Sequence, residues 1–281
     1  MPALSRRGNL GRTNRSVGVP GLLQFSDPHL LADPDGLCRG RPSMATLVYG
    51  LRQALTQINR RPDLLLITGD LCQDESWGGY RRLLDALDQV EALRQVPLAL
   101  TPGNHDHQAL LRAALGRRAV IAPAALDVGG WTLLVLSSHR SGCVAGFLDP
   151  RQLDWLEGQL RAARQPVVVA LHHPPLAIGD PGLDPIALQE PDPFLGCLRR
   201  SPALKAVLFG HVHQHWQGEL QRTGGGPPIS LWACPSSLAA FAAVQPCPLE
   251  HSDWPGARWL DLQESGAVVS TLLRWSPLES A

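Results

Sequence analysis

Residues 64–70 read Leu-Leu-Leu-Ile-Thr-Gly-Asp, a short apolar run that ends in a glycine and a carboxylate. Its length, its branched side chains and its bounding turn residues predict a strand buried on both faces. Similar apolar runs lead into Asp, Asn or His at 22–26, 96–100, 167–171 and 206–209. Helical patterns lie between several of these runs, which predicts an α/β fold with polar loops at one sheet edge.

The spacing of apolar residues predicts the remaining elements. Helices are expected at 43–58 with Ser43 as the cap, at 77–90, at 108–115, and from the Asp149-Pro150 start. Hairpins are expected around Gly129-Gly130, around 224–228 and between 259–262 and 268–273. The Pro- and Asp-rich stretches 173–193 and 245–256 are predicted surface loops beside a site. We expect a flexible Arg-rich tail at 1–20 and one domain over 21–281 with substrate-side loops toward its C-terminus.

Composition excludes several classes of protein. The 281 residues carry 25 Lys+Arg against 25 Asp+Glu, which argues against a nucleic acid polymer as partner. No apolar run is long enough to predict a membrane span, and the Arg-rich start lacks the apolar stretch of a secretory signal. The six cysteines form no CxxC motif, so they predict free thiols in a reducing cytoplasm. We expect a cytoplasmic monomer or homodimer that acts on a small molecule.

Metal-type ligands follow five of the predicted strands. They are Asp27 and His29, Asp70, Asn104, His172, and His211 and His213. Each alone has an ordinary structural reading as a turn, a cap or a buried histidine, but together at strand ends they predict a metal site. Mixed imidazole and carboxylate ligands suit Fe, Mn, Zn or Co. Seven ligands are too many for one tetrahedral ion and suit two ions that share a carboxylate, an arrangement that favours phosphate ester hydrolysis.

The series D-x-H, GD, GNHD, H and GHxH resembles the calcineurin-like metallophosphoesterases from about residue 22 onward. Within that superfamily the chain resembles the bacterial class III 3′,5′-cyclic AMP phosphodiesterases. This second resemblance rests on residues 26–30, 69–74, 172–175, 210–214 and 235–237, followed by Phe241. The resemblance implies a four-layer α/β-β/α sandwich of two mixed β-sheets flanked by helices.

The resemblance also implies the residue roles. Asp27, His29 and His213 would bind a first metal, Asn104, His172 and His211 a second, and Asp70 would bridge them. The ions would be Fe, Mn or both, with Zn or Co as alternatives. His105 would protonate the leaving oxygen or hold the phosphate, and Asp106 would orient it. The residues expected to contact substrate are His29, Asp70, Asn104, His105, His213, His139 and Phe241.

The implied reaction is hydrolysis of 3′,5′-cyclic nucleotides, with cAMP giving 5′-AMP, by a metal-bridging hydroxide. The alternative is a broad phosphodiesterase acting on 2′,3′-cyclic nucleotides, glycerophosphodiesters or lipid diesters. A non-catalytic interaction module on the same fold is disfavoured because His105 and all seven ligand positions are present. Two departures bear on the substrate. Ser137 stands where related enzymes often carry Asp, and Ala240 stands where similar enzymes carry Gln.

Overall fold

The computed structural model describes residues 18–278. Five α-helices alternate with the strands: α1 (Ser43–Ile58), α2 (Trp77–Asp88), α3 (Gln108–Leu115), α4 (Pro150–Ala162) and α5 (Asp192–Arg200). The strands, in chain order, are β1 (Gly21–Phe25), β2 (Leu37–Cys38), β3 (Arg41–Pro42), β4 (Leu64–Thr68), β5 (Leu98–Thr101), β6 (Val120–Ile121), β7 (Ala124–Val128), β8 (Trp131–Val135), β9 (Val167–Ala170), β10 (Leu204–Phe209), β11 (Trp216–Leu220), β12 (Ile229–Ala233), β13 (Gly256–Leu262) and β14 (Val268–Arg274). Short 3₁₀ helices occupy Glu91–Leu93 and Asp184–Ile186.

Two six-stranded mixed sheets form the centre of the fold. The first has the order β14-β13-β1-β4-β5-β6, and the second has the order β11-β12-β10-β9-β8-β7. Strands β1, β4 and β5 run parallel in the first sheet, and β8, β9, β10 and β12 run parallel in the second. The outer strands β13, β14, β11 and β7 pair antiparallel with their neighbours.

Three apolar cores separate the layers. Helices α1, α2 and α3 cover the outer face of the first sheet, and α4 and α5 cover the outer face of the second. A third core, which includes Leu22, Leu66, Val135, Val168 and Leu208, fills the space between the sheets. The predicted four-layer α/β-β/α sandwich of two mixed β-sheets is therefore confirmed.

Local sequence explains most element boundaries. Asp149 caps α4 through the Arg151 amide, and Gly129 and Gly130 have the positive φ values that the β7–β8 turn requires. The predicted cap of α1 is wrong. Pro42 occupies the cap position without a side-chain hydrogen bond, and the Ser43 hydroxyl is buried without a partner.

Some elements and segments differ from the sequence predictions or lie outside them. The hairpin β2–β3 and helix α5 were not predicted, because their runs are too short or too polar to show a period. The predicted tail at 1–20 falls outside the described residues except for its last three. No helix within residues 18–278 combines the length and the apolar character that crossing a bilayer requires.

Candidate metal centre

The carboxyl ends of β1, β4 and β10 bring three predicted ligands together beside Asp70. His29 Nε2 lies 3.1 Å from His213 Nε2, and His213 Nε2 lies 3.3 Å from Asp27 Oδ1. Ligand atoms of these three residues and of Asp70 all lie within 4.8 Å of one another, and all four residues are buried. We call Asp27, His29 and His213 the first half-site.

A second half-site forms on the other side of Asp70, from β5, β9 and β10. Asn104 Oδ1 lies 3.2 Å from His172 Nε2 and 3.0 Å from His211 Nδ1. The two imidazole nitrogens are themselves 3.2 Å apart. Asn104 comes from the first sheet and both histidines come from the second, so this half-site spans the sheet–sheet interface.

Asp70 faces both half-sites. Its Oδ2 lies 3.9 Å from His29 Nε2, and its Oδ1 lies 3.5 Å from His172 Nε2. Burial alone would raise the pKa of Asp70, but His172 and then His29 hold it well below its ordinary value. Burial likewise opposes the charged form of His172, yet the Asp70 carboxylate raises the pKa of that imidazole to about 9. The carboxylate is therefore ionised and placed between two sets of ligands.

The donor set fits cations, because hydrogen bonds fix the outer nitrogens of three imidazoles. His29 Nδ1 lies 2.8 Å from Gln73 Oε1, His172 Nδ1 lies 2.7 Å from Thr68 O, and His213 Nδ1 lies 3.1 Å from Ala239 O. All three partners are oxygen acceptors, so these outer nitrogens carry protons. The inner Nε2 atoms of His29 and His213 then present lone pairs, and the Nε2 of His172 does so once that imidazole, whose pKa is raised to about 9, gives up its second proton. Asp27 Oδ1 is buried without a hydrogen-bond partner. These inward-facing lone pairs match what two transition-metal ions need.

The backbone of the ligand loops adopts an uncommon conformation. Five of the seven predicted ligands have positive φ: Asp27 (53°), His29 (44°), Asp70 (48°), His211 (67°) and His213 (53°). Left-handed backbone is unfavourable for residues other than glycine, and it clusters at functional sites where surrounding contacts enforce it. The loops are therefore shaped for ligand placement at a cost in local stability.

Two motif glycines allow the close packing of these loops. A Cβ on Gly103 would lie 2.1 Å from Asp70 Oδ1, and one on Gly210 would lie 1.9 Å from Ser26 Oγ. Both distances are far below van der Waals contact, so a side chain at either position would displace a ligand loop.

His105 and Asp106 have different environments. His105 is half-buried, its ring meets that of His29 edge-on at 5.2 Å, and its amide donates to Asp70 Oδ1 at 2.9 Å. Asp106 is fully buried and accepts hydrogen bonds from the amides of Leu71, Cys72 and Gly103. Among residues 18–278 it makes no hydrogen bond to the His105 ring, so the contact behind the predicted orienting role does not occur. Asp106 instead joins the loops after β4 and β5.

Ligand atoms of His173, His172 and His211 lie within 4.8 Å of one another, but the hydrogen bonds of His173 favour a structural role. Its Nδ1 lies 2.8 Å from Ser138 Oγ and its Nε2 lies 2.9 Å from Val144 O. Both ring nitrogens are therefore engaged. The residue fixes the 138–146 loop against the rings of His172 and His211, which lie 4.8 and 4.6 Å away.

Comparison with known proteins agrees with this geometry. Residues 21–215 match the calcineurin-like phosphoesterase family. The chain belongs to that family. It is 50% identical over 269 residues to a probable cyclic nucleotide phosphodiesterase of Synechococcus sp. strain WH7803, covering 94% of this chain and 99% of the relative. It is 33% identical to the 3′,5′-cyclic adenosine monophosphate phosphodiesterase CpdA of Pseudomonas aeruginosa, covering 96% and 94%.

Solved structures share the fold at low sequence identity. A dimetal phosphatase from Danio rerio superposes with a TM-score of 0.62 at 15% identity, covering 92% of this chain and all of that one. A purple acid phosphatase from yellow lupin gives 0.64 at 12% identity, covering 92% of this chain and 52% of that one. The family uses a dinuclear metal centre, and the two half-sites provide candidate ligands for it.

The rim of the site includes a residue that the sequence analysis missed. The Phe241 ring stacks on His213 with centroids 4.9 Å apart, and the Arg39 guanidinium lies over the Phe241 ring at 5.2 Å. Arg39 occupies the turn of the β2–β3 hairpin; the Arg39-Gly40 pair was the available turn signal. His139 lies on the opposite rim, where its Nδ1 is 2.8 Å from Gly103 O.

Removing the carboxylate of Asp70 should cost both ions, because both half-sites use it. We expect Asp70→Ala to fall well below the two metal equivalents of the reconstituted chain in elemental analysis. Asp106→Asn is the matched control. It should keep both ions but lose about 1–3 kcal/mol of folding stability, since buried amides lose acceptors. Two equivalents retained in Asp70→Ala would remove the bridging role, and metal loss in Asp106→Asn would place Asp106 within the centre.

Proposed function

We propose that the chain hydrolyses 3′,5′-cyclic nucleotides and converts cAMP to 5′-AMP. The observation that carries the proposal is the placement of Asp70 between two half-sites, with the half-exposed His105 ring beside them. The names of the two relatives described above, a cyclic nucleotide phosphodiesterase and a cAMP phosphodiesterase, support cyclic nucleotides as the substrate class.

The ligand roles follow from the two half-sites. Asp27, His29 and His213 would hold one ion, Asn104, His172 and His211 the other, and Asp70 both. Burial lowers the pKa of His29 to about 4 and that of His211 to about 3, so both are neutral imidazoles with a lone pair to give. We favour Fe, Mn or both, with Zn or Co as alternatives, because the ligands mix imidazole and oxygen. When bound, the ions supply Lewis acidity, which neutralises phosphoryl charge and activates water.

The protein supplies the proton for the leaving group. Water adds to phosphorus, the bond from phosphorus to the ribose 3′-oxygen breaks, and that oxygen takes a proton. His105 is the donor we assign, because its ring makes no hydrogen bond to another residue within 18–278 and lies beside His29. Asp106 contributes indirectly, by holding the loop that carries His105. Asn104 and His213 flank the same space and complete the phosphate-binding wall.

The part of the substrate beyond its phosphate would contact the rims of the metal centre. Phe241 and Arg39 lie on one rim, and His139 lies on the other. Residue 240, next to Phe241 in the chain, is Ala and so provides no amide side chain to read a base. His213 and Arg39 contact the Phe241 ring, so a base stacks on that ring only where the Arg39 guanidinium moves aside. We therefore expect weak contacts between these rims and the nucleotide base. Weak recognition of the base favours a second candidate function, a broad phosphodiesterase. We place either activity in a monomer or homodimer in the cytoplasm, because six free thiols are typical of a reducing compartment.

A substrate panel tests the proposal. The chain reconstituted with Mn or Fe should cleave 3′,5′-cAMP to 5′-AMP, with kcat/KM compared against cGMP, 2′,3′-cAMP, a phosphomonoester and a chromogenic diester. The Asp70→Ala variant serves as the inactive control. Cleavage of simple diesters without cleavage of any 3′,5′-cyclic nucleotide would reject the cyclic nucleotide assignment and favour the broad phosphodiesterase.

Replacing His105 should separate proton donation from metal binding. We expect His105→Ala to keep both metals and to lose about 10²–10⁴-fold in kcat on cAMP, the usual range for a general acid. The loss should be smaller for a nitrophenyl diester, whose leaving group departs without a proton. His107→Ala is the control, since that exposed ring only caps α3. Equal losses on both substrates would instead assign His105 to phosphate positioning.

The contribution of Phe241 can be measured against a matched pair on the other rim. Arg140 lies over Phe147 at 5.2 Å, as Arg39 lies over Phe241. With saturating metal, Phe241→Ala should raise KM for cAMP about tenfold with little change in kcat, since stacking binds the ground and transition states alike. Phe147→Ala should leave KM near the wild-type value. The reverse pattern would move base recognition to the 138–147 rim.

A further inference from the structure

Two buried arginines lie side by side between the sheets, near the metal centre but outside it. In the β13–β14 pair, Arg258 lies opposite Leu272 and Arg274 lies opposite Gly256, so the two arginines are diagonal neighbours on one face. That face is the inter-sheet face, because Leu260 and Leu262 on it belong to the core between the sheets. Arg258 is 2% exposed and Arg274 is 8% exposed.

Neutral groups alone hydrogen-bond to Arg258. Its Nη2 donates to Ala233 O at 2.8 Å and to His215 Nδ1 at 3.0 Å, and its Nη1 donates to Ser270 Oγ at 2.7 Å. These contacts satisfy the donors of Arg258 but bring no negative charge.

Arg274 and His215 retain unused donors. Arg274 Nη1 donates to Trp254 O and the Arg274 side chain contacts the Cys247 thiol, but its Nε and Nη2 are buried and find no acceptor of good hydrogen-bond geometry within residues 18–278. A guanidinium only donates, so His215 Nδ1 must accept the bond from Arg258 and Nε2 must carry the ring proton. His215 Nε2 is also buried without a partner. The arginine cluster, defined as His215, Arg258 and Arg274, thus offers three donor nitrogens that no acceptor within residues 18–278 engages.

Neither arginine of the cluster forms an ion pair with a carboxylate within residues 18–278. The ion pairs recorded within residues 18–278 include neither Arg258 nor Arg274. Burial lowers the pKa of Arg258 to about 10 and also lowers that of Arg274. Both guanidinium groups are charged, because arginine side chains stay protonated in proteins. The Cys247 thiol lies next to Arg274, and the Asp253 carboxylate is exposed and interacts with it more weakly. Two buried positive charges without a close counter-charge are costly.

We propose that the arginine cluster is a binding site for a small inorganic anion of the size of chloride. The unused N–H groups of Arg274 and His215 would donate to it, and its charge would offset the two guanidinium groups. A water molecule would accept hydrogen bonds there but would leave the positive charge uncompensated. This site is independent of the proposed function, because it shares no residue with the two half-sites.

The position of the arginine cluster gives such an anion a structural role. His215 follows His213 by two residues, and Arg274 holds Trp254 O at the end of the 235–254 loop. The same loop carries Ala239, whose carbonyl fixes His213 Nδ1. An anion would therefore tie the C-terminal strands to the loop that supports the first half-site.

Thermal unfolding of the metal-loaded chain tests the proposal with chloride as the probe. Sodium chloride is compared with sodium gluconate, which has a much larger anion, at equal ionic strength. At about ten times the dissociation constant, chloride should raise the melting temperature by about 3 °C. Arg274→Met should abolish the difference between the two salts. Arg118→Met is the matched control, because Arg118 also bonds only carbonyls, and it should keep the difference.

Two further measurements keep the proposal falsifiable if Arg274→Met fails to fold. Cys247→Ser should retain the chloride effect, since the thiol is not the counter-charge. Crystals of the wild-type chain grown in bromide should show an anomalous peak within hydrogen-bonding reach of Arg274 Nη2 and His215 Nε2. Equal stability in chloride and gluconate, loss of the effect in Cys247→Ser, or absence of that peak would overturn the proposal.

Discussion

The buried carboxylate of Asp70 is the interaction on which the rest of the centre depends. It is 2% exposed, and its two oxygens face two separate groups of ligands. An ionised carboxylate is stable at this depth only with positive charge around it, which His172 supplies within the chain and two cations would supply more completely. Because His172 comes from the other sheet, the same interaction that binds cations also joins the two sheets.

This constraint explains why the site region is tight and strained. The loops must approach Asp70 so closely that Gly103 has no room for a Cβ, and Asp70 itself adopts positive φ. Each left-handed residue other than glycine destabilises the fold by about 1 kcal/mol or more, so the backbone geometry of the ligand loops lowers local stability. Cations that bind the folded chain and not the unfolded one would stabilise the folded state by mass action and so offset that loss. Metal binding and the folding of this edge are therefore coupled.

The sequence predicted which residues converge as candidate ligands because they follow a local rule, and it missed features that depend on tertiary contacts. A polar residue directly after a buried strand, such as Asp70 after 64–68, is placed by the strand alone. Arg39 could not be assigned to the site, because its role depends on a hairpin of two-residue strands folding over Phe241. The orienting role of Asp106 stays a prediction, and the direct bond to the His105 ring is missing for a related reason: adjacency in sequence does not decide where a side chain points. Burial of Arg258 was equally hidden, since only the second sheet covers that face of β13.

Residues up to 215 and residues beyond 215 contribute to the centre in different ways. The family match ends at residue 215, and all seven predicted ligands and His105 lie within it. Residues beyond 215 contact the ligand residues through their backbone, outer ring nitrogens and ring faces. Ser236 Oγ donates to Asp27 O at 2.8 Å, Ala239 O holds His213, and Phe241 covers the His213 ring. The C-terminal part can therefore change what enters the site while the ligand atoms stay in place, because it touches the ligands through their backbone, their outer nitrogens and their ring faces. The candidate ligand atoms thus all come from residues 27–213, and Ser236, Ala239 and Phe241 support them from outside that range.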